Sequence, residues 1–146
     1  MGRVKREHLE RISDWGEKLA ESVLQIDEYK SNLKKEVIDN LSGCDILVIE
    51  TNHDRNMLLT GPYPRSTKQR IDSDLGHLSN EHAAGALPEI VGERTRQLVL
   101  AHLSETNNMP RLARAAAEGA MRYAGIDGIT LHTASQRTPS GRIACD

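Results

Sequence analysis

The chain has 146 residues, 38% of them hydrophobic, 27% charged and 3% aromatic, with no phenylalanine and a net charge of −2. That length suits one domain, and the near-neutral balance excludes a protein held to nucleic acid by bulk positive charge, leaving that task to local basic clusters. No apolar run approaches the roughly 18 residues of a membrane span, the opening MGRVKREHLERISDWG lacks a signal peptide's apolar stretch, and Cys44 and Cys145 form neither a metal-type pair nor a disulfide framework. The expectation is a soluble, cytoplasmic protein with no membrane association, whose core depends on Leu, Ile, Val and Ala.

Leu9, Ile12, Leu19 and Val23 recur at helical intervals among many charges. Residues 1–30 therefore read as a helical N-terminal segment, with Gly16 near a break and Trp15 as a packing anchor. Ser22-Val23-Leu24-Gln25-Ile26 alternates polar with apolar and suits a short strand ending at Asp27. Ser31 is the expected N-cap of a helix that buries Leu33, Val37, Ile38 and Leu41 and stops at Gly43. Ile46-Leu47-Val48-Ile49 and Leu98-Val99-Leu100-Ala101 are unbroken apolar runs of the length of strands buried on both faces of a parallel sheet.

Between those runs, Gly61-Pro62-Tyr63-Pro64 predicts an irregular loop, followed by a short helix carrying Arg65, Lys68 and Arg70. Those three cations either hold a phosphate backbone or form a solvated face. Ser79 is the expected N-cap of a longer helix, with Glu81 in its first turn, a stripe of Ala83, Ala84, Leu87, Ile90 and Val91, and Gly92 as its stop. Strand, helix and strand across residues 45–101 make a βαβ unit, expected to be right-handed. Met109, Leu112, Ala113, Ala116, Ala120 and Tyr123 mark a second helix ended by Gly125, with its alanines against the sheet, and Ile129-Thr130-Leu131-His132 predicts a last strand. The fold class is α/β.

Both apolar runs end in chemistry: Glu50-Thr51-Asn52-His53 after the first, His102-Leu103-Ser104 after the second. In open α/β sheets, sites collect beyond the carboxyl ends of the strands. His102 reads either as a metal ligand or general base, or as a histidine capping the next helix. His77 sits in a loop behind Gly76, and Glu50 is placed to orient an imidazole. His77 and His82 are five apart and do not make the i, i+4 pair of a helical zinc site. No G-x-S-x-G elbow, P-loop, dinucleotide fingerprint or Cys–His pairing occurs, which excludes several enzyme classes.

The blocks ETNHDRNMLLTGPYPRSTKQRIDSDLGHLSNEHAA and LVLAHLSETNNMPRLA resemble the metallo-β-lactamase-fold hydrolases, in particular the bacterial YycJ/WalJ-type branch related to tRNase Z and RNase J. The resemblance implies the C-terminal half of an αββα sandwich across residues 31–146. It implies a metal-dependent phosphodiester hydrolase, a 5′-directed exonuclease on DNA or RNA, with two Zn²⁺ ions per complete site or Mn²⁺ in their place. By the same resemblance His102 is a metal ligand, His77 the acid that protonates the leaving group, and Glu50 the carboxylate that supports it. Asp27 stands near the place of the family's bridging aspartate, without the glycine turn around it. Asn52, His53, Arg65, Lys68, Arg70, Ser104, Asn107 and Asn108 are the expected substrate contacts. The family's His-x-His-x-Asp-His signature occurs nowhere in the chain. The expectation is thus a truncated or split member, weakly active or inactive alone, whose partner is a separate N-terminal half or a second copy. The alternative is a non-catalytic interaction module, or a gene fragment, retaining the half-fold.

Overall fold

The computed structural model describes residues 35–73 and 75–144. The expected N-terminal helix, the strand at 22–26, Asp27 and the Ser31 cap lie outside the described residues. In chain order the elements are α1 (Lys35–Leu41), β1 (Ile46–Glu50), α2 (Arg55–Thr60), α3 (Arg65–Ile71), α4 (Asn80–Ile90), β2 (Gln97–Ala101), α5 (Pro110–Ala124) and β3 (Thr130–Thr133). No helix among the described residues is long and apolar enough to cross a membrane.

The strands form one parallel sheet in the order β1-β2-β3. Leu47 lies opposite Leu98 and Leu98 opposite Leu131, so the apolar positions of the three strands fall on one face. The order never reverses, and crossovers of one hand then bring α4 and α5 to the same face. There Leu47, Leu98 and Leu100 meet Ala84, Leu87 and Ile90 of α4 and Ala113, Ala117, Ala120 and Met121 of α5. Fully burying a leucine contributes about 1.5–3 kcal/mol, so this layer carries much of the hydrophobic stabilisation.

One expectation is corrected. The first strand is not buried on both faces: Ile46 and Val48 are exposed, Val48 by 63%. Among the described residues β1 is an edge strand and both crossover helices cover the opposite face. The alanine face of α5 packs on α4 as well as on the sheet's leucines, because small side chains let the two helices approach closely. Its buried stripe accordingly runs through Ala113, Ala117, Ala120 and Met121, while Met109 is the exposed N-cap residue.

Local chemistry sets the ends of these elements. Ser79 Oγ accepts the His82 N–H, as an N-cap does for an otherwise unpaired helix donor. Asp54 caps α2 in the same way through the Met57 N–H. Pro110 begins α5, where its missing N–H costs nothing, and Gly125 ends it at φ 66°, a left-handed turn natural to glycine.

Candidate functional site

The site forms where β1 runs past its last sheet residue and is held on both sides. On one side the ladder to β2 continues, with Glu50 opposite Ala101 and the Thr51 N–H donating to Ala101 O at 2.9 Å. On the other side His53 makes a parallel bridge with Ser79. There the Asn52 N–H donates to Leu78 O and the Asn80 N–H to His53 O, both at 2.8 Å. Residues 50–53 thus lie between the segment bearing His102 and the segment bearing His77.

Glu50 is the focus. Its Oε1 lies 2.7 Å from His77 Nδ1 and 2.6 Å from His102 Nδ1, and its Oε2 accepts the Leu78 N–H at 3.1 Å. A carboxylate only accepts, so both imidazoles carry their proton on Nδ1 when they pair with it, leaving both Nε2 lone pairs free. The rings meet edge to face, with centroids 5.1 Å apart. Burial of Glu50 would raise its pKa, but the Leu78 N–H and then His102 and His77 outweigh that effect and hold it below the usual 4.5.

Glu50, His77 and His102 offer ligand atoms within 4.8 Å of one another and can hold a metal ion. The oxygen–nitrogen contacts of 2.6–2.7 Å are hydrogen bonds. They are shorter than the separation of about 3.3 Å between ligands of one tetrahedral ion with bonds near 2.0–2.1 Å. Glu50 therefore acts here as the carboxylate behind two imidazoles, which leaves the Nε2 atoms as the imidazole positions open to a metal. The histidines are reachable, with side-chain exposures of 43% for His77 and 61% for His102.

His102 has φ 57°, the left-handed region that a non-glycine residue enters at a cost. The contacts that hold it come from Asn52, whose Nδ2 donates to His102 O at 2.9 Å and whose own carbonyl accepts the Ser104 N–H at 2.8 Å.

The remaining expected site residues divide by burial. Asn52, His53, Asn107 and Asn108 are buried, and their contacts are with the protein itself. Asn108 and Asn80 exchange reciprocal amide hydrogen bonds of 2.8 and 2.9 Å, and Asn108 also donates to Thr51 O, tying the start of α4 to the approach to α5. His53 is fully buried, 3.7 Å from the Asp72 carboxylate. Burial lowers its pKa below the ordinary 6.5, with Asp72 opposing part of that shift. Ser104 Oγ accepts the N–H groups of Thr106 and Asn107, shaping the turn after His102. Arg65 and Arg70 are exposed on α3, whereas Lys68 Nζ donates to Leu59 O at 2.7 Å.

Sequence reasoning missed Asn80, Asp72 and the bracing role of Asn52. The available signal was positional: Asn80 follows a helix cap, and Asn108 stands two residues before a helix-starting proline.

The chain is similar to exodeoxyribonuclease YycJ of Bacillus anthracis, at 38% identity over 115 residues, which is 77% of this chain and 42% of that protein. It is also similar to exodeoxyribonuclease WalJ of Streptococcus pneumoniae, at 45% identity over 85 residues, covering 58% of this chain and 30% of that protein. The chain thus spans less than half the length of these relatives. No family model matches it, and no solved structure matches it.

Proposed function

We propose that this chain carries part of the active site of a metal-dependent phosphodiester hydrolase, a 5′-directed exonuclease on DNA with the metallo-β-lactamase fold. The observation that carries this reading is the single Glu50 oxygen shared by the Nδ1 atoms of His77 and His102. The names of the exodeoxyribonuclease relatives support the substrate.

In this reading His102 holds the metal through Nε2, and imidazole donors suit Zn²⁺, with Mn²⁺ as the other choice. When bound, the ion supplies Lewis acidity towards water and the phosphodiester. Glu50 fixes the tautomer and orientation of both rings. His77, in its protonated form, gives the Nε2 proton to the departing alkoxide. The exposed guanidinium groups of Arg65 and Arg70 attract the phosphate backbone, and Lys68 adds charge from beside the Leu59 carbonyl.

In this reading His102 is the metal donor among the described residues, and a dinuclear centre needs more. We place the others on further polypeptide or on a second copy, packed on the uncovered face beside Ile46 and Val48 to complete an αββα sandwich.

Zn²⁺ titration of the chain, wild type against His102→Ala, tests the reading. The affinity is expected to fall by about tenfold or more in the variant. Once the missing donors are supplied, metal-dependent release of 5′-terminal nucleotides from duplex DNA is expected to drop about a hundredfold or more in His77→Ala. Equal Zn²⁺ affinity in wild type and His102→Ala would overturn the assignment.

A further inference from the structure

We infer that Asn52 is the positioning residue of this site, acting through His102. The inference rests on the reading of His102 as the metal-bearing histidine for its functional meaning, but its geometry stands independently.

Asn52 directs three polar groups to three site segments. Its N–H goes to Leu78 O, beside His77, its carbonyl takes the Ser104 N–H, and its side-chain Nδ2 donates to the carbonyl of His102 itself. The backbone bonds would survive any substitution that keeps the strand path. The Nδ2 bond would not, and it grips the one described non-glycine residue with positive φ. Such a conformation costs about 1–3 kcal/mol and persists only where its surroundings hold it. The grip has a directional consequence. Turning His102 out of the left-handed region swings its Cα–Cβ bond, and Nδ1 leaves Glu50 Oε1. Asn52 is 8% exposed, which leaves it little opportunity to touch substrate. Its role is to aim an imidazole.

Asn52→Ala removes only the Nδ2 bond. The decisive readout is the imidazole tautomer of each histidine in metal-free protein, from ¹⁵N–¹H correlation spectra at about pH 8, above the ordinary imidazole range. In the wild type His77 and His102 are expected to carry the proton on Nδ1. In Asn52→Ala, His102 is expected to become a mixture with the Nε2–H form while His77 keeps its tautomer. Zn²⁺ affinity is expected to fall by about 10–100-fold.

Asn52→Asp keeps the side chain's shape and is the second variant, because a carboxylate oxygen facing the His102 carbonyl breaks the same contact by repulsion. A double-mutant cycle adds a structural control. In a His102→Gly background the left-handed turn carries little strain to relieve, so Asn52→Ala is expected to lower the melting temperature more than in the wild type, where release of His102 offsets part of the loss. An unchanged His102 tautomer in a folded Asn52 variant, or an equal melting-temperature loss in both backgrounds, would overturn the proposal. Neither readout depends on DNA cleavage, so a failure of the nuclease reading is distinguishable from a failure of this one.

Discussion

Three donors face the Glu50 carboxylate, two imidazoles and one backbone N–H. Its neighbour His53, three residues on, has the opposite character: a neutral ring in a closed environment. Folding depresses the pKa of His53, and also of His82, chiefly by burial. The unfolded chain therefore binds more protons once the pH drops below the ordinary histidine value of 6.5. The stability these rings contribute is fully present above 6.5 and is lost as pH falls through the lower folded values. The melting temperature is accordingly expected to decline as the pH falls below 6.5, and less steeply in His53→Gln. An identical slope in the variant would remove His53 from the explanation. At this scale the sequence identified the chemistry but not its placement. Glu50, His77 and His102 were recognisable from their positions at strand and loop ends. Asn52, Asn107 and Asn108 read as substrate contacts because polarity is visible in a sequence, whereas their burial is not.

The elements that present these groups are short, and one tight turn governs His77. The Gly76 N–H donates to Ser73 O and the His77 N–H to Ile71 O, folding the chain back over the end of α3. A Cβ at position 76 would collide with the carbonyl oxygens of Ile71 and Arg70, which are backbone and have nowhere to yield. Gly76→Ala is expected to cost about 1–3 kcal/mol in urea unfolding and to loosen the His77–Glu50 contact. A change below about 0.5 kcal/mol, the range of an ordinary surface substitution, would show that the turn relaxes freely. The three strands, α3, α4 and α5 were legible to within a residue or two, since apolar runs, caps and stops agree there. α2 was not. Its six residues hold only one buried side chain, Leu58, and so short a helix leaves too little periodicity to register against the glycine and prolines that follow.

On the scale of the whole described body, stability and chemistry come from different surfaces. Leu98 is at the centre of the covered face, and Leu98→Ala is expected to cost about 2–5 kcal/mol by the loss of buried contacts and the cavity left behind. Val48→Thr, on the uncovered face, is expected to change unfolding stability far less. Comparable losses for the two would mean that Val48 is covered in solution. The sequence could not show this asymmetry, because an apolar run reads the same whether one or both faces of its strand are packed.

The parallel order has a practical corollary. All three strands begin at one rim and finish at the other, four or five residues or roughly 13–16 Å away. The starting rim is fastened by the Arg94–Asp45 ion pair, the Thr95 hydroxyl on Cys44 O and the Thr130 N–H on Arg96 O, and it bears none of the histidines that meet at Glu50. Its turn at Asp127 and Gly128 is exposed. A spin label, fluorophore or affinity tag introduced there would sit at the far end of the sheet from the imidazoles, giving an attachment point that leaves them undisturbed.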